Sequence, residues 1–186
     1  MRKLILFIFI SLVFVHPLAT IAQEQAKPSG KVATIKWYSF EDAYKLMKKK
    51  PKKIFIDVFT DWCGWCKKMD AETFTNPVIV KYMSDNYYCV KFNAERKDTV
   101  VIDGKVFVNP NPAGNRSTHQ LAIEMLKGQL SYPSYVFLND KGQALTVVAG
   151  YQNAQNFEGI LAFFGSDAYL KTTWEEFKPG FKGEVK

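Results

Sequence analysis

Cysteine is scarce in this sequence: Cys63, Cys66 and Cys89 are the only three among 186 residues. That is too few for a disulfide-stapled secreted scaffold, so the core has to come from ordinary apolar packing. Long hydrophobic runs and internal repeats are also lacking, which excludes a multi-span membrane protein and a repeat array. Histidine is limited to His16 and His119. Loss of an N-terminal leader would leave no second histidine for Cys–His protease chemistry. The net charge of +7 has no basic and aromatic interleaving behind it. Its densest run, KKKPKK at 48–53, falls between a helical pattern and a strand and reads as a solvated turn. No nucleic-acid partner is therefore expected. What is plentiful is apolar material, 47% hydrophobic and 15% aromatic, which excludes long disorder and supplies one globular core.

Arg2 and Lys3 precede an apolar run over residues 4–15, followed by His16-Pro17 and a short segment reaching Ala22. This is the layout of a secretory signal peptide, because the run is short against the roughly 20 residues of a spanning helix. Thr20 and Ala22 supply the small residues of a cleavage site. Residues 1–22 are expected to be removed, with an uncleaved anchor as the alternative. No cysteine lies near the cleavage point for lipid attachment. The expected location is the periplasm, without stable membrane insertion after cleavage. Residues 23–35 are small and polar and read as a flexible lead.

From Ser39 the pattern becomes regular. Ser39 and Asp42 resemble a capping box with Asp in place of Glu, and Phe40, Ala43, Tyr44 and Met47 predict a helix over about 39–49. IFIDVF at 54–59 predicts a strand buried on both faces. A helix-favouring stretch at 67–74, the Asn76-Pro77 turn and an amphipathic piece at 78–83 follow, then a second buried strand, YYCVKF, at 87–92. Asp103-Gly104 between two β-type runs predicts a tight hairpin. Ser117 to Gln120 again resembles a capping box and predicts a helix start. A second hairpin joins 135–138 to 144–148 through Gly142, Phe157 to Phe164 mark another helix, and 166–186 read as a helix over about 167–177 with a frayed tail.

The element order is β-α-β followed by an antiparallel β-β-α ending, with Cys-x-x-Cys where the first buried strand turns into its helix. FTDWCGWCK at 59–67 and YPSYVFLNDKG at 132–142 resemble the active-site segment and the cis-proline loop of the thioredoxin family. The resemblance spans residues 36–165. It implies an α/β, three-layer α/β/α fold with a mixed central sheet, here with a hairpin insertion at about 94–118 and a C-terminal extension at 166–186. It implies a cis peptide at Pro133, which would hold the Tyr132 backbone beside Cys63 to pair with a substrate segment. It also implies a glycine near the site at Gly150.

The chemistry follows from the residues. A thiol attacks only as thiolate, and Cys63 at a helix start faces unpaired N–H groups that lower its pKa. Cys63 is the expected nucleophile, and Cys66, one turn further in and more buried, is expected to resolve the mixed disulfide. A permanent structural disulfide is the alternative for this pair. Asp57, inside an apolar strand, is costly to bury unless paired or protonated. It matches the family's buried acid and is assigned proton transfer with Cys66, with Lys91 as its charge partner. The alternative is an Asp on the solvent face of an edge strand. Trp62, Gly64 and Trp65 are expected to form the rim that meets the partner. Cys89 is expected in the core and His119 at the surface or a helix start. A Cys63, Cys66, Cys89 and His119 zinc set has the wrong spacing, so no metal and no cofactor are expected. The expected partners are protein thiols or disulfides and an upstream redox donor. Trp65 replaces the family's proline before the second cysteine, so redox direction does not carry over. The lack of histidine between the cysteines favours the reductant or isomerase side, and the alternative is a binding module of the same fold without turnover.

Overall fold

The computed structural model describes residues 33–186, so the expected signal peptide and residues 23–32 of the expected lead lie outside the described residues. Strand β1 (Trp37–Tyr38) leads into α1 (Phe40–Lys49), which begins where the Ser39 hydroxyl accepts the Asp42 N–H at 3.1 Å. Strand β2 (Lys53–Phe59) runs into α2 (Gly64–Lys68), which continues as a π-helical turn, Met69–Thr73. Helix α3 (Pro77–Asn86) starts with proline in its first turn and the Asn76 side chain capping Val78 and Ile79. Then come β3 (Tyr87–Asn93), β4 (Val100–Ile102), β5 (Lys105–Phe107), α4 (Gln120–Met125), β6 (Ser134–Leu138), β7 (Ala144–Ala149), α5 (Ala154–Gly165) and α6 (Trp174–Gly180).

The main sheet has the order β1-β3-β2-β6-β7, with β3 parallel to β1 and β2, and with β6 antiparallel to β2 and β7. Strand β2 is therefore central, and its two faces enter two cores. Ile54, Ile56 and Val58 pack with Phe40, Met47, Leu121 and Leu126 on one side. Phe55 packs with Met69, Ile79, Met83, Phe157 and Leu161 on the other. This double burial is why the strand reads as a continuous apolar run rather than an alternating one. Among the described residues no helix is long and apolar enough to cross a membrane.

The segment 94–118 carries β4 and β5 as a separate two-stranded sheet. Its turn residues Asp103 (φ 48°) and Gly104 (φ 80°) both adopt the left-handed conformation that a tight hairpin turn demands. Tyr44 and Lys48 on α1 hold the Asp103 carboxylate.

Three expectations are corrected. Helix α4 is capped by His119, whose Nδ1 accepts the Leu121 N–H at 3.2 Å; Ser117 instead gives its hydroxyl to Asn109 Oδ1 at 2.6 Å. His119 thus stands at a helix start, as one of its two expected places had it, but is buried rather than at the surface; with Nδ1 accepting, Nε2 donates to the Asp98 carbonyl oxygen at 3.1 Å and the ring is neutral. The helix expected at 167–177 is interrupted, because Asp167 turns left-handed (φ 63°) and α6 starts later, behind a capping box of Thr173 and Glu176. The tail beyond it is docked rather than frayed: the backbone N–H groups of Glu184 and Val185 donate to the buried Glu158 carboxylate at 2.7 and 3.0 Å.

Candidate active site

Strand β2 supplies the acid. Asp57 lies across from Lys91 on β3 and from Tyr135 on β6, so three polar groups share one row of an otherwise apolar sheet. Asp57 is 1% exposed, which overturns the edge-strand alternative. Its Oδ2 is 2.9 Å from Lys91 Nζ, while Oδ1 has no protein partner among the described residues. Burial pushes the carboxyl up from 3.8 to about 6; Lys91 pulls it down, and Asp70 adds to the rise. Asp70 reaches Lys91 from the π-helical turn, so one ammonium is shared by a buried and an exposed carboxylate. The Tyr135 hydroxyl is also buried without a protein partner, and burial raises the pKa of its phenol.

At the end of β2 the chain turns so that the Cys63 N–H donates to the Thr60 carbonyl at 3.1 Å, and Cys63 becomes the N-cap of α2. Its Sγ accepts the Cys66 N–H at 3.1 Å and is joined to Cys66 in a disulfide whose Cα atoms are 5.3 Å apart. Both cysteines are 3% exposed, so the expected difference in burial is absent in this oxidised form. A Cβ on Gly64 would meet nothing within 4 Å, so the backbone between the cysteines faces open space.

Trp62 and Trp65 are 50% and 58% exposed and flank the disulfide in sequence. Trp62 donates its indole N–H to Glu95 at 2.9 Å and packs edge-on against Tyr132, with ring centroids 5.9 Å apart. This contact places the 132–133 loop next to the cysteine segment. The Tyr132-Pro133 bond is cis. Gly150 (φ 88°) donates its N–H to the Pro133 carbonyl at 2.8 Å, which ties the end of β7 to that loop. Trp65 leans on Tyr151 at 5.4 Å.

Direct contacts thus tie Trp62, beside the disulfide, to Tyr132, and Gly150 to Pro133, while Trp65 rests on Tyr151 and Asp57 pairs with Lys91 within the sheet. Cys89 and His119 take no part in these contacts. Cys89 packs with Phe55 and Met83 in one core, whereas His119 stacks edge-on against Phe92 in the other. Among the described residues no three His, Cys, Asp or Glu side chains converge as a metal site. Sequence reasoning missed Asp70, Glu95, Tyr151 and Arg116, whose guanidinium lies over the Trp62 ring; all four come to these residues through tertiary contacts that no local pattern announces. Tyr135 did carry a signal, a polar tip inside an apolar strand.

Residues 40–165 match the model of a family described as a thioredoxin-like domain. The chain is 31% identical over 81 residues to spermatogenesis-associated protein 20 of Mus musculus, covering 43% of this chain and 10% of that protein. It is 22% identical over 125 residues to the thiol:disulfide interchange protein DsbD of Pectobacterium atrosepticum, covering 66% of this chain and 18% of that protein. The chain therefore spans less than a fifth of either relative's length. Among solved structures it is similar in fold to a DsbH oxidoreductase, with a TM-score of 0.55 and 16% identity over 77% of this chain and 94% of that one.

Proposed function

The chain belongs to the thioredoxin-like domain family, and on that premise we propose that it is an exported, periplasmic thiol–disulfide oxidoreductase acting on protein partners, on the reductant or isomerase side. The observation that carries this reading is a disulfide-forming Cys63–Cys66 pair at a helix start, in contact through Trp62 with a cis Tyr132-Pro133 loop. Export rests on the residue 1–22 pattern.

In the reducing direction the Cys63 thiolate attacks a partner disulfide, forming a mixed disulfide and releasing one partner thiolate. Cys66, deprotonated with Asp57 as acceptor, then attacks Cys63 Sγ and expels the second partner thiolate. Two electrons pass to the partner, the pair closes as its disulfide, and the two protons end on the partner thiols. An upstream dithiol donor must restore the reduced pair. No cofactor enters this scheme. The chain's Trp62, Trp65 and Tyr132 supply the surface on which an extended partner segment lies, with the Tyr132 backbone available for strand-like pairing.

Insulin reduction driven by dithiothreitol tests the enzyme reading, and Cys66→Ser should trap partners in mixed disulfides. Absence of turnover, with no mixed disulfide trapped, would favour the binding-module alternative. Equilibration with glutathione tests the direction: a potential near that of the strong oxidants would overturn the reductant or isomerase assignment.

A further inference from the structure

Each of the two tryptophans beside the disulfide has a cation and a carboxylate as neighbours, and the two sites differ in whether that cation and carboxylate pair with each other. Lys68 Nζ lies 5.5 Å from the Trp65 ring centroid and 5.2 Å from that of Tyr151. Its charge is matched locally, since Glu72 is 3.8 Å away and also accepts the Tyr151 hydroxyl at 2.7 Å. On the other side the segment 94–118 folds back over Trp62. Glu95 takes the indole N–H, and the Arg116 guanidinium covers the ring face with its carbon 5.0 Å from the centroid. The segment's other arginine, Arg96, is held by Asp98 within the segment and by Glu41 on α1. Arg116 is exposed, and among the described residues it has neither a carboxylate within ion-pair distance nor a hydrogen-bond acceptor.

The loop that presents Arg116 is braced. Asn109 donates to the Ser117 carbonyl at 2.8 Å and accepts the Ser117 hydroxyl at 2.6 Å. Arg116 itself is held at φ 59°, a left-handed conformation that a non-glycine side chain adopts at a cost and keeps only where its surroundings enforce it. A guanidinium laid on an aromatic face keeps its N–H edge free, and that edge matches a carboxylate in two-point geometry.

We propose that Arg116 is a specificity-determining residue whose guanidinium, stacked on Trp62 next to Cys63, binds a carboxylate of the partner. The preferred partner proteins then carry Asp or Glu beside the cysteine undergoing exchange, and a basic residue there is disfavoured. This rests on the oxidoreductase reading above. A rim charge of this kind acts on encounter and discrimination and leaves the sulfur chemistry to the cysteines.

The test uses the reduced chain and three disulfide-linked peptide dimers that differ only in the residue beside the cysteine: Glu, Gln or Lys. The readout is the ratio of second-order rate constants for the Glu and Lys peptides, which is normalised within each protein. The wild-type ratio should be about tenfold and fall with added salt. It should collapse towards unity in Arg116→Gln, recover in part in Arg116→Lys, and invert in Arg116→Glu. A wild-type ratio of one, or the same ratio in all four proteins, overturns the assignment while leaving the oxidoreductase reading intact. Failure of the wild type to exchange with dithiothreitol as well as with the peptides would remove both.

Discussion

Cys63 and Cys89 are the same side chain in opposite surroundings. Sγ of Cys63 stands at the start of α2 and receives the Cys66 N–H at 3.1 Å, a donor that favours negative charge on sulfur. Sγ of Cys89 lies inside the sheet, where its polar neighbours are the carbonyls of Met83 and Tyr87 at 3.8 and 4.0 Å. Carbonyl oxygens accept from a thiol and repel a thiolate, and burial pushes Cys89 up to about 12, with Lys52 opposing weakly. Both residues are almost equally shielded, at 3% and 2%, and they differ in what faces the sulfur, an N–H donor at Cys63 and carbonyl oxygens at Cys89.

The severest way to break this contrast is Cys63→Ser, which should lower insulin reduction by more than about a thousandfold, ~4 kcal/mol of barrier, while Cys89→Ala leaves turnover in place. Next comes Phe55→Ala. Phe55 is the cross-strand neighbour of Cys89, and its ring contacts those of Phe74, Tyr87, Tyr135, Phe137 and Phe157. Its truncation should cost about 3–5 kcal/mol in urea unfolding and make Cys89 open to iodoacetamide, to which the buried wild-type thiol should be inert.

Asp57→Asn probes the buried acid of β2 and its proposed part in proton transfer. A carboxyl raised from 3.8 to about 6 holds more protons folded than unfolded across that interval, so wild-type stability falls as pH rises through it. Denaturation of the oxidised protein should show a loss of up to about 3 kcal/mol that is complete above the raised pKa and absent from Asp57→Asn. The same variant should slow exchange about a hundredfold. The smallest effect is that of Cys89→Ala on stability, about 1 kcal/mol by thermal melting, because a small buried side chain leaves a small void.

Much of this arrangement is legible in the residues. An apolar run without alternation states that β2 is covered on both faces, and the one carboxylate within it, Asp57, states that something must compensate it. The Cys-x-x-Cys after such a strand places sulfur at a helix start. Legibility ends where a distant group outcompetes a local one. Ser117 has the look of a cap, yet Asn109 claims its hydroxyl, and the cap falls to His119. Thr173 and Glu176 formed a readable capping box that the expected helix over 167–177 overran. The cover on Trp62 comes from Arg116, on the far side of a whole hairpin, and no periodicity encodes that meeting.

The docking of residues 184 and 185 onto Glu158 has a consequence in time as well as in space. The carboxylate belongs to α5, and its two amide partners lie 26 and 27 residues further along the chain. A ribosome delivers the chain in order, so the buried charge in α5 waits unsatisfied until those residues emerge. Closure of this side of the fold therefore follows the emergence of those residues, well after α5 itself can form.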